Sequence, residues 1–156
     1  NLTRIPEPKI QEIEFSKVID HIKVLLAHEM ETRGIQFVVN INPKDLKIHV
    51  DKELIDQVLI NIVQNAMHAL DENEEEKMII INAFVNEYGR PTMKIRDNGS
   101  GIDEEALGKI FIPFFTTKKQ GSGIGLSLSK QIMRKHGGAI TVRSVLQEGT
   151  EFTLRF

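Results

Sequence analysis

The sequence predicts a mixed α/β domain: one mixed, mostly antiparallel sheet covered on one face by helices. Three observations lead there. Segments with apolar residues at three- and four-residue steps alternate with short runs of strand character. Between them lie connections rich in Gly, Pro, Asn and Asp. The chain has 156 residues, 40% of them hydrophobic and 27% charged, a size and composition suited to a single globular core. Helices interleaved with strand pairs of this kind bury their stripes against one shared sheet.

Residues 1–14 are polar, carry Pro6 and Pro8, and read as an extended lead-in rather than an element, in a chain that continues upstream. Over residues 15–33, Phe15, Val18, Ile19, Ile22, Leu25 and Leu26 recur at helical steps, so an amphipathic helix is expected. Ser16 or a neighbour should open it and Gly34 should close it. Residues 36–41 and 46–50 read as two strands joined by a turn at Asn42-Pro43-Lys44-Asp45. Asp51 can cap a long helix reaching Leu70, with Glu53 in its first turn. The acidic run 71–76 reads as a solvated loop. Strands are expected at 78–85 and 92–96 around a turn through Tyr88-Gly89-Arg90-Pro91. A short helical turn should follow Asp103, and a helix over 124–136 should end at Gly137-Gly138. Ala139–Val145 and 150–156 alternate as a closing hairpin.

Composition removes several classes of function. A formal charge of −2 lacks the basic excess of a nucleic-acid binder. No apolar run approaches the roughly 20 residues that span a bilayer, and the first residues lack a signal-peptide pattern. With no cysteine there is no disulfide, thiolate metal site or Cys nucleophile.

Four clusters carry chemistry. On the helix 51–70, Gln57, Asn61, Asn65 and His68 stack beside an apolar face of Ile55, Val58, Leu59, Ile62, Ala66 and Leu70. Asn is a poor mid-helix residue, and a merely solvated face is better served by Lys and Glu. Such amides can hold a hard cation through carbonyl oxygens, grip phosphate through N–H groups, or simply bond a neighbouring loop. Next comes Asp97-Asn98-Gly99-Ser100-Gly101-Ile102-Asp103, at a strand end. A hairpin turn is one reading of its Asn-Gly. A helix start rather than a strand follows, however, so Asp97 can instead accept from an exocyclic amine while the glycines let backbone approach a planar ligand. In the third cluster, Phe111, Phe114 and Phe115 precede Thr116-Thr117-Lys118-Lys119: either core anchors of a surface loop or the pins of a lid whose lysines reach anions. The fourth, Gly121-Ser122-Gly123-Ile124-Gly125-Leu126, opens a helix with free N–H groups at its positive end, an anion site or a flexible turn. It is neither a P-loop, for lack of Lys-Ser/Thr, nor a dinucleotide fingerprint, for lack of a preceding strand and a final Gly. His28-Glu29-Met30-Glu31-Thr32 lacks the second His of a zinc-protease motif, and the Pro of a phosphoacceptor box.

In this order and spacing the four clusters resemble the ATP-binding domain of bacterial sensor histidine kinases, with residues 15–156 in register. Gln57-x3-Asn61-x3-Asn65-Ala66 is similar to the N box and Asp97-x-Gly99-x-Gly101 to the G1 box. Phe111-x2-Phe114-Phe115 resembles the F box and Gly121-x-Gly123-x-Gly125-Leu126 the G2 box. Ala66-Met67-His68-Ala69-Leu70 and Pro113-Phe114-Phe115-Thr116-Thr117-Lys118 are similar to the nitrogen-regulatory subgroup. The resemblance implies a Bergerat-fold α/β sandwich over 15–156, with 1–14 as the connector from an upstream dimerisation domain. It implies ATP and Mg2+ as ligands, Asn65 on the metal, and Asn61 and His68 on phosphate or ordering that ion. Asp97 would take the adenine amine, with Gly99, Gly101, Ile102 and Thr150 shaping the base pocket. Lys118 would reach the γ-phosphate, and Gly121, Gly123, Ile124, Gly125 and Leu126 would cradle phosphate.

The implied activity is a protein histidine kinase that donates the γ-phosphate to a His on a separate helical domain. A response regulator would act through that domain. The fragment would be a cytoplasmic monomer without membrane or nucleic-acid contact, in a homodimeric parent that can itself be membrane-anchored. Two departures stand out: His68 where many members carry Lys, and Asn61 where hydrolytic relatives carry Glu. An amide takes up no proton at pH 7, which favours transfer over hydrolysis. The alternatives are a clamp-type ATPase or anti-sigma serine kinase of the same fold, or a nucleotide-sensing module without phosphotransfer.

Overall fold

The computed structural model describes residues 5–115 and 125–156. Its elements are β1 (Gln11–Glu14), α1 (Phe15–Arg33), β2 (Ile35–Ile41), β3 (Lys47–Val50), α2 (Lys52–Ala69), β4 (Lys77–Val85), β5 (Pro91–Asp97), α3 (Glu104–Leu107), α4 (Gly125–Lys135), β6 (Ala139–Val145) and β7 (Gly149–Arg155). Strands β2-β4-β5-β7-β6 form a mixed sheet in which only β2 and β4 run parallel. Helices α1, α2 and α4 cover one face, the two-layer architecture expected. Across the other face Lys94 and Arg143 each reach Glu151 at 3.6 Å.

Three local expectations are corrected. Residues 36–41 and 46–50 are strands, but they do not pair with each other. β2 joins the main sheet beside β4, whereas β3 pairs antiparallel with β1 in a separate ribbon. The lead-in is therefore not wholly without structure: Gln11–Glu14 is β1, with Ile13 turned toward the core. Further upstream, the Lys9 N–H donates to Asp51 at 2.9 Å. The start of α1 also differs. Ser16 lies inside the helix, Glu14 occupies the N-cap without a side-chain bond, and the Phe15 N–H bonds to the Leu46 carbonyl at 2.9 Å. Gly34 ends the helix in the left-handed region, at φ 67°, where a residue without Cβ carries no steric penalty.

The core lies between the helices and the sheet. Phe15, Ile19 and Ile22 of α1 and Ile55, Leu59, Ile62 and Met67 of α2 pack over Ile79, Ile81, Met93 and Leu154. Leu25 departs from the α1 stripe and is exposed. Asp51 caps α2 as expected, accepting from the Leu54 N–H at 3.2 Å.

The start of α2 and the end of α4 are tied together by His136. Its Nε2 accepts the Asp51 N–H at 3.0 Å, and its Nδ1 donates to the Ile132 carbonyl at 2.8 Å. A carbonyl can only accept and an N–H only donate, so the two contacts use Nδ1 as donor and Nε2 as acceptor. His136→Ala is expected to lower unfolding stability by about 1–3 kcal/mol in urea titration, the cost of a stranded N–H and a lost helix tie.

Candidate active site

Helix α2 runs beneath the whole site. Its apolar stride is buried: Ile55, Val58, Leu59, Ile62 and Ala66 all face the core. That fixes where the polar row emerges, along the border between core and solvent. Asn61 and Asn65 are half-buried, while Gln57 and His68 are exposed. Asn61 is the informative member, because its Nδ2 is buried and has no hydrogen-bond partner among the described residues. A stranded amide donor costs about 1–3 kcal/mol, so a fold that keeps one holds it for something else.

Gly125, the first residue of α4, sits directly against Asn61; a Cβ added there would overlap the Asn61 amide oxygen. The glycine at this position is thus a requirement of close approach. It brings the N-terminal turn of α4, with Leu126 next in line, to the amide row. Lys118, Gly121, Gly123 and Ile124 lie outside the described residues.

At the other end of α2 sits the Asp97 loop. Gly99 packs on the last residue of the helix, where an added Cβ would meet the Ala69 carbonyl carbon at 2.8 Å, and the Ser100 N–H donates to that carbonyl at 3.2 Å. Asp97 ends β5 and is only 4% exposed. Burial pushes its carboxyl up from 3.8 to about 6, against the N–H bonds of Gly99 and Thr150, which pull it down. The Gly99 N–H reaches it at 2.8 Å. A buried carboxylate held partly out of its charged form is poised to accept a hydrogen bond from a ligand.

The hairpin β6–β7 clamps this loop from the far side. The Gln147 N–H donates to the Ser100 carbonyl at 2.7 Å, and the Ile102 N–H donates to the Ser144 hydroxyl at 2.8 Å. Gly101, at φ 78°, lies so close to the Val145 carbonyl that no side chain fits, and Gly149 is likewise tight against the Asp97 carbonyl. Asp97, Gly99, Gly101, Ile102 and Thr150 are therefore brought together as the sequence suggested. Ser144 and Gly149 belong to the same cluster and were missed. Alternation puts Ser144 on the inward face with Ile140 and Val142, but a lone Ser at a strand end carries no sign of its partners until strand register places it beside Thr150.

In the Phe111–Phe115 stretch, Phe111 and Phe115 pack partly buried against the core, and the Lys130 ammonium lies 5.0 Å from the Phe111 ring centre. Phe114 is exposed and holds φ 69°, an uncommon conformation for a bulky residue. A separate groove of about 390 Å³ opens between Ile5, Pro6, Lys9, Leu54, Leu128 and Ile132; of the polar row only Gln57 reaches it.

Chemically, the arrangement offers hydrogen-bond acceptors at one end of α2 and amides with helix N–H dipoles along its length. Among the described residues no three His, Cys, Asp or Glu side chains cluster to hold a metal. A cation here would rest on amide oxygens, ligand oxygens and water, the manner in which Mg2+ binds.

Residues 50–156 match the family described as "Histidine kinase-, DNA gyrase B-, and HSP90-like ATPase". Sensor histidine kinase ZraS of Salmonella typhi is 33% identical over 145 residues, 93% of this chain and 30% of that protein. The signal transduction histidine-protein kinase AtoS of Escherichia coli K12 is 36% identical over 148 residues, 92% of this chain and 23% of that one. The chain thus spans 23–30% of the length of these relatives. Among solved structures, the nucleotide-free catalytic domain of histidine kinase ThkA superposes with TM-score 0.84 at 34% identity, covering 95% of each chain. ThkA in complex with the response regulator TrrA gives TM-score 0.79 at 31% identity, over 96% of this chain and 42% of that one. With Asn61, Asp97 and Gly125 gathered along one helix in that shared fold, the chain belongs to the histidine kinase-, gyrase B- and HSP90-like ATPase family, as a histidine kinase catalytic domain.

Proposed function

We propose that this domain binds ATP with Mg2+ and donates the γ-phosphate to a histidine of a separate helical dimerisation domain. The observation that supports it most is the Asn61 amide, without a partner among the described residues and held against the first turn of α4, on the helix whose last residue packs on the Asp97 loop. Asp97 accepts from the adenine amine, in a pocket walled by Gly99, Gly101, Ile102 and Thr150. Asn65 offers its amide oxygen to Mg2+, and Asn61 and His68 order the phosphates around it. The N–H groups of Gly125 and Leu126 face phosphate at the positive end of α4. When bound, the ion neutralises phosphate charge and aligns the transferring group. Lys118, Gly121, Gly123 and Ile124 complete the phosphate cradle in this reading.

The protein's own part is positioning. Asn61 is an amide and takes no proton from water at pH 7, so hydrolysis stays slow while a bound acceptor imidazole can attack. Residues 1–14 then connect to the dimerisation domain, and a response regulator receives the phosphate through it. In this reading the domain works in the cytoplasm, as a monomer within a dimeric parent.

The test mixes this domain, γ-labelled ATP and the parent's dimerisation domain made separately. Label is expected on histidine of the second domain; steady phosphate release with no labelled histidine would overturn the reading in favour of an ATPase. Asn65→Ala is expected to abolish the Mg2+ dependence of ATP affinity, measured by calorimetry with Mg2+ and with EDTA. A variant that responds to Mg2+ as the parent does removes Asn65 from the metal.

A further inference from the structure

Asp97, Thr150 and Ser144 stand in one cross-strand row, since Thr150 pairs with Asp97 on β5 and with Ser144 on β6. Paired residues point to the same side of a sheet, so all three face the helices and the base pocket. Thr150 is 4% exposed, and its hydroxyl lies 2.8 Å from the Ser144 hydroxyl. Ser144 also lies 3.1 Å from the Gly149 carbonyl, as donor, and accepts the Ile102 N–H at 2.8 Å.

A hydroxyl has one proton and two lone pairs. The Gly149 carbonyl can only accept, so a Ser144 proton directed there is no longer available to Thr150. Thr150 must then give its own proton to Ser144, and what it presents to the pocket is lone pairs alone. We propose that Ser144 is a positioning residue for base selection: it turns Thr150 into an acceptor, so that Thr150 and Asp97 together demand a hydrogen-bond donor from the base. The proposal rests on the nucleotide reading above and adds a residue to it.

The consequence is chemical discrimination. Adenine presents an exocyclic amine at position 6, with two N–H donors; hypoxanthine presents a carbonyl oxygen at the same place. An oxygen facing two acceptors is repelled and left unpaired, which costs more than a missing contact. In Ser144→Ala the Thr150 hydroxyl loses its acceptor and is free to rotate its proton toward the base, where it can meet that oxygen.

The experiment measures dissociation constants of ATP and ITP for the parent domain, Ser144→Ala, Ser144→Thr and Thr150→Val. The parent is expected to prefer ATP. Ser144→Ala should reduce the ITP/ATP ratio of constants by about tenfold, roughly the weight of one neutral hydrogen bond. Ser144→Thr, which restores the hydroxyl, should return the ratio toward that of the parent. In the Thr150→Val background Ser144→Ala should change the ratio no further, because the group it acts through is gone. If Ser144→Ala weakens both nucleotides equally, Ser144 merely braces the hairpin and the proposal is overturned. If Ser144→Ala does not fold, an unchanged ratio in Thr150→Val overturns it equally. A parent domain that binds neither nucleotide would instead overturn the nucleotide reading itself, and this proposal with it.

Discussion

Asp97→Asn is expected to make the empty domain more stable at pH 8 while weakening ATP binding. Burial raises the Asp97 carboxyl from 3.8 to about 6 in the fold. The folded state therefore holds this proton more tightly than the unfolded chain. Its contribution to stability is complete below about pH 4 and is lost as pH rises through about 6. Above that range the ionised group costs on the order of 3 kcal/mol, from about two units at 1.36 kcal/mol each. Asn carries no charge to desolvate, and its oxygen can still accept the Gly99 N–H. For a domain of this size the gain corresponds to a melting temperature higher by several degrees at pH 8, shrinking to little at pH 4. Calorimetric melts at the two pH values read it directly. ATP affinity moves the other way, by about 1.5–3 kcal/mol, because an amide N–H then faces the adenine amine. In the parent domain affinity should also fall below about pH 6 as Asp97 takes up its proton. ATP titrates in that range itself, so the relevant quantity is the difference from Asp97→Asn. A variant both less stable at pH 8 and unchanged in affinity would refute the assignment.

Gly125→Ala should separate fold from function in a second way. At the first position of α4 a methyl favours the helix by up to about 1 kcal/mol. That same methyl would overlap the amide of Asn61. What it meets is the far end of a short side chain rather than backbone, so the fold yields by swinging Asn61 aside. Urea unfolding should therefore change by less than about 1 kcal/mol in either direction. Phosphotransfer to the dimerisation domain should drop by at least tenfold, since the amide proposed to order phosphate has left its place. Full activity with intact stability would show that Asn61 is not needed where it stands.

Much of this fold is legible in the sequence, and the exceptions share a cause. The stride of Ile55, Val58, Leu59 and Ile62 gives the core face of α2, and Asp51 marks its start, because both signals are local. The turn at 42–45 says only that the chain reverses. That β2 pairs in parallel with β4 and β3 with β1 depends on partners far along the chain, for which a local pattern carries no information. β1 escapes for a related reason: Gln11-Glu12-Ile13-Glu14 has a single apolar residue, and only its pairing with β3 makes it a strand. The site divides in the same way. Asn61 and Asp97 announce themselves as residue types out of place in a helix and at a strand end. The closeness of Gly125 to Asn61, and the row of Ser144, Thr150 and Asp97, exist only after helices and strands have packed.

The clamp of Gln147, Ser144 and Gly149 on the Asp97 loop has a consequence for biosynthesis. The walls of the proposed base pocket come from stretches of chain some fifty residues apart, Asp97 to Thr150. A ribosome that has released Asp97 and Gly99 has yet to make the hairpin that shuts them in. Until Arg155 clears the exit tunnel, cellular ATP has no finished cavity to enter and cannot act as a folding template. The nascent helices and the first three sheet strands must hold themselves together by apolar burial alone, with nucleotide lending its stabilisation only to the finished domain.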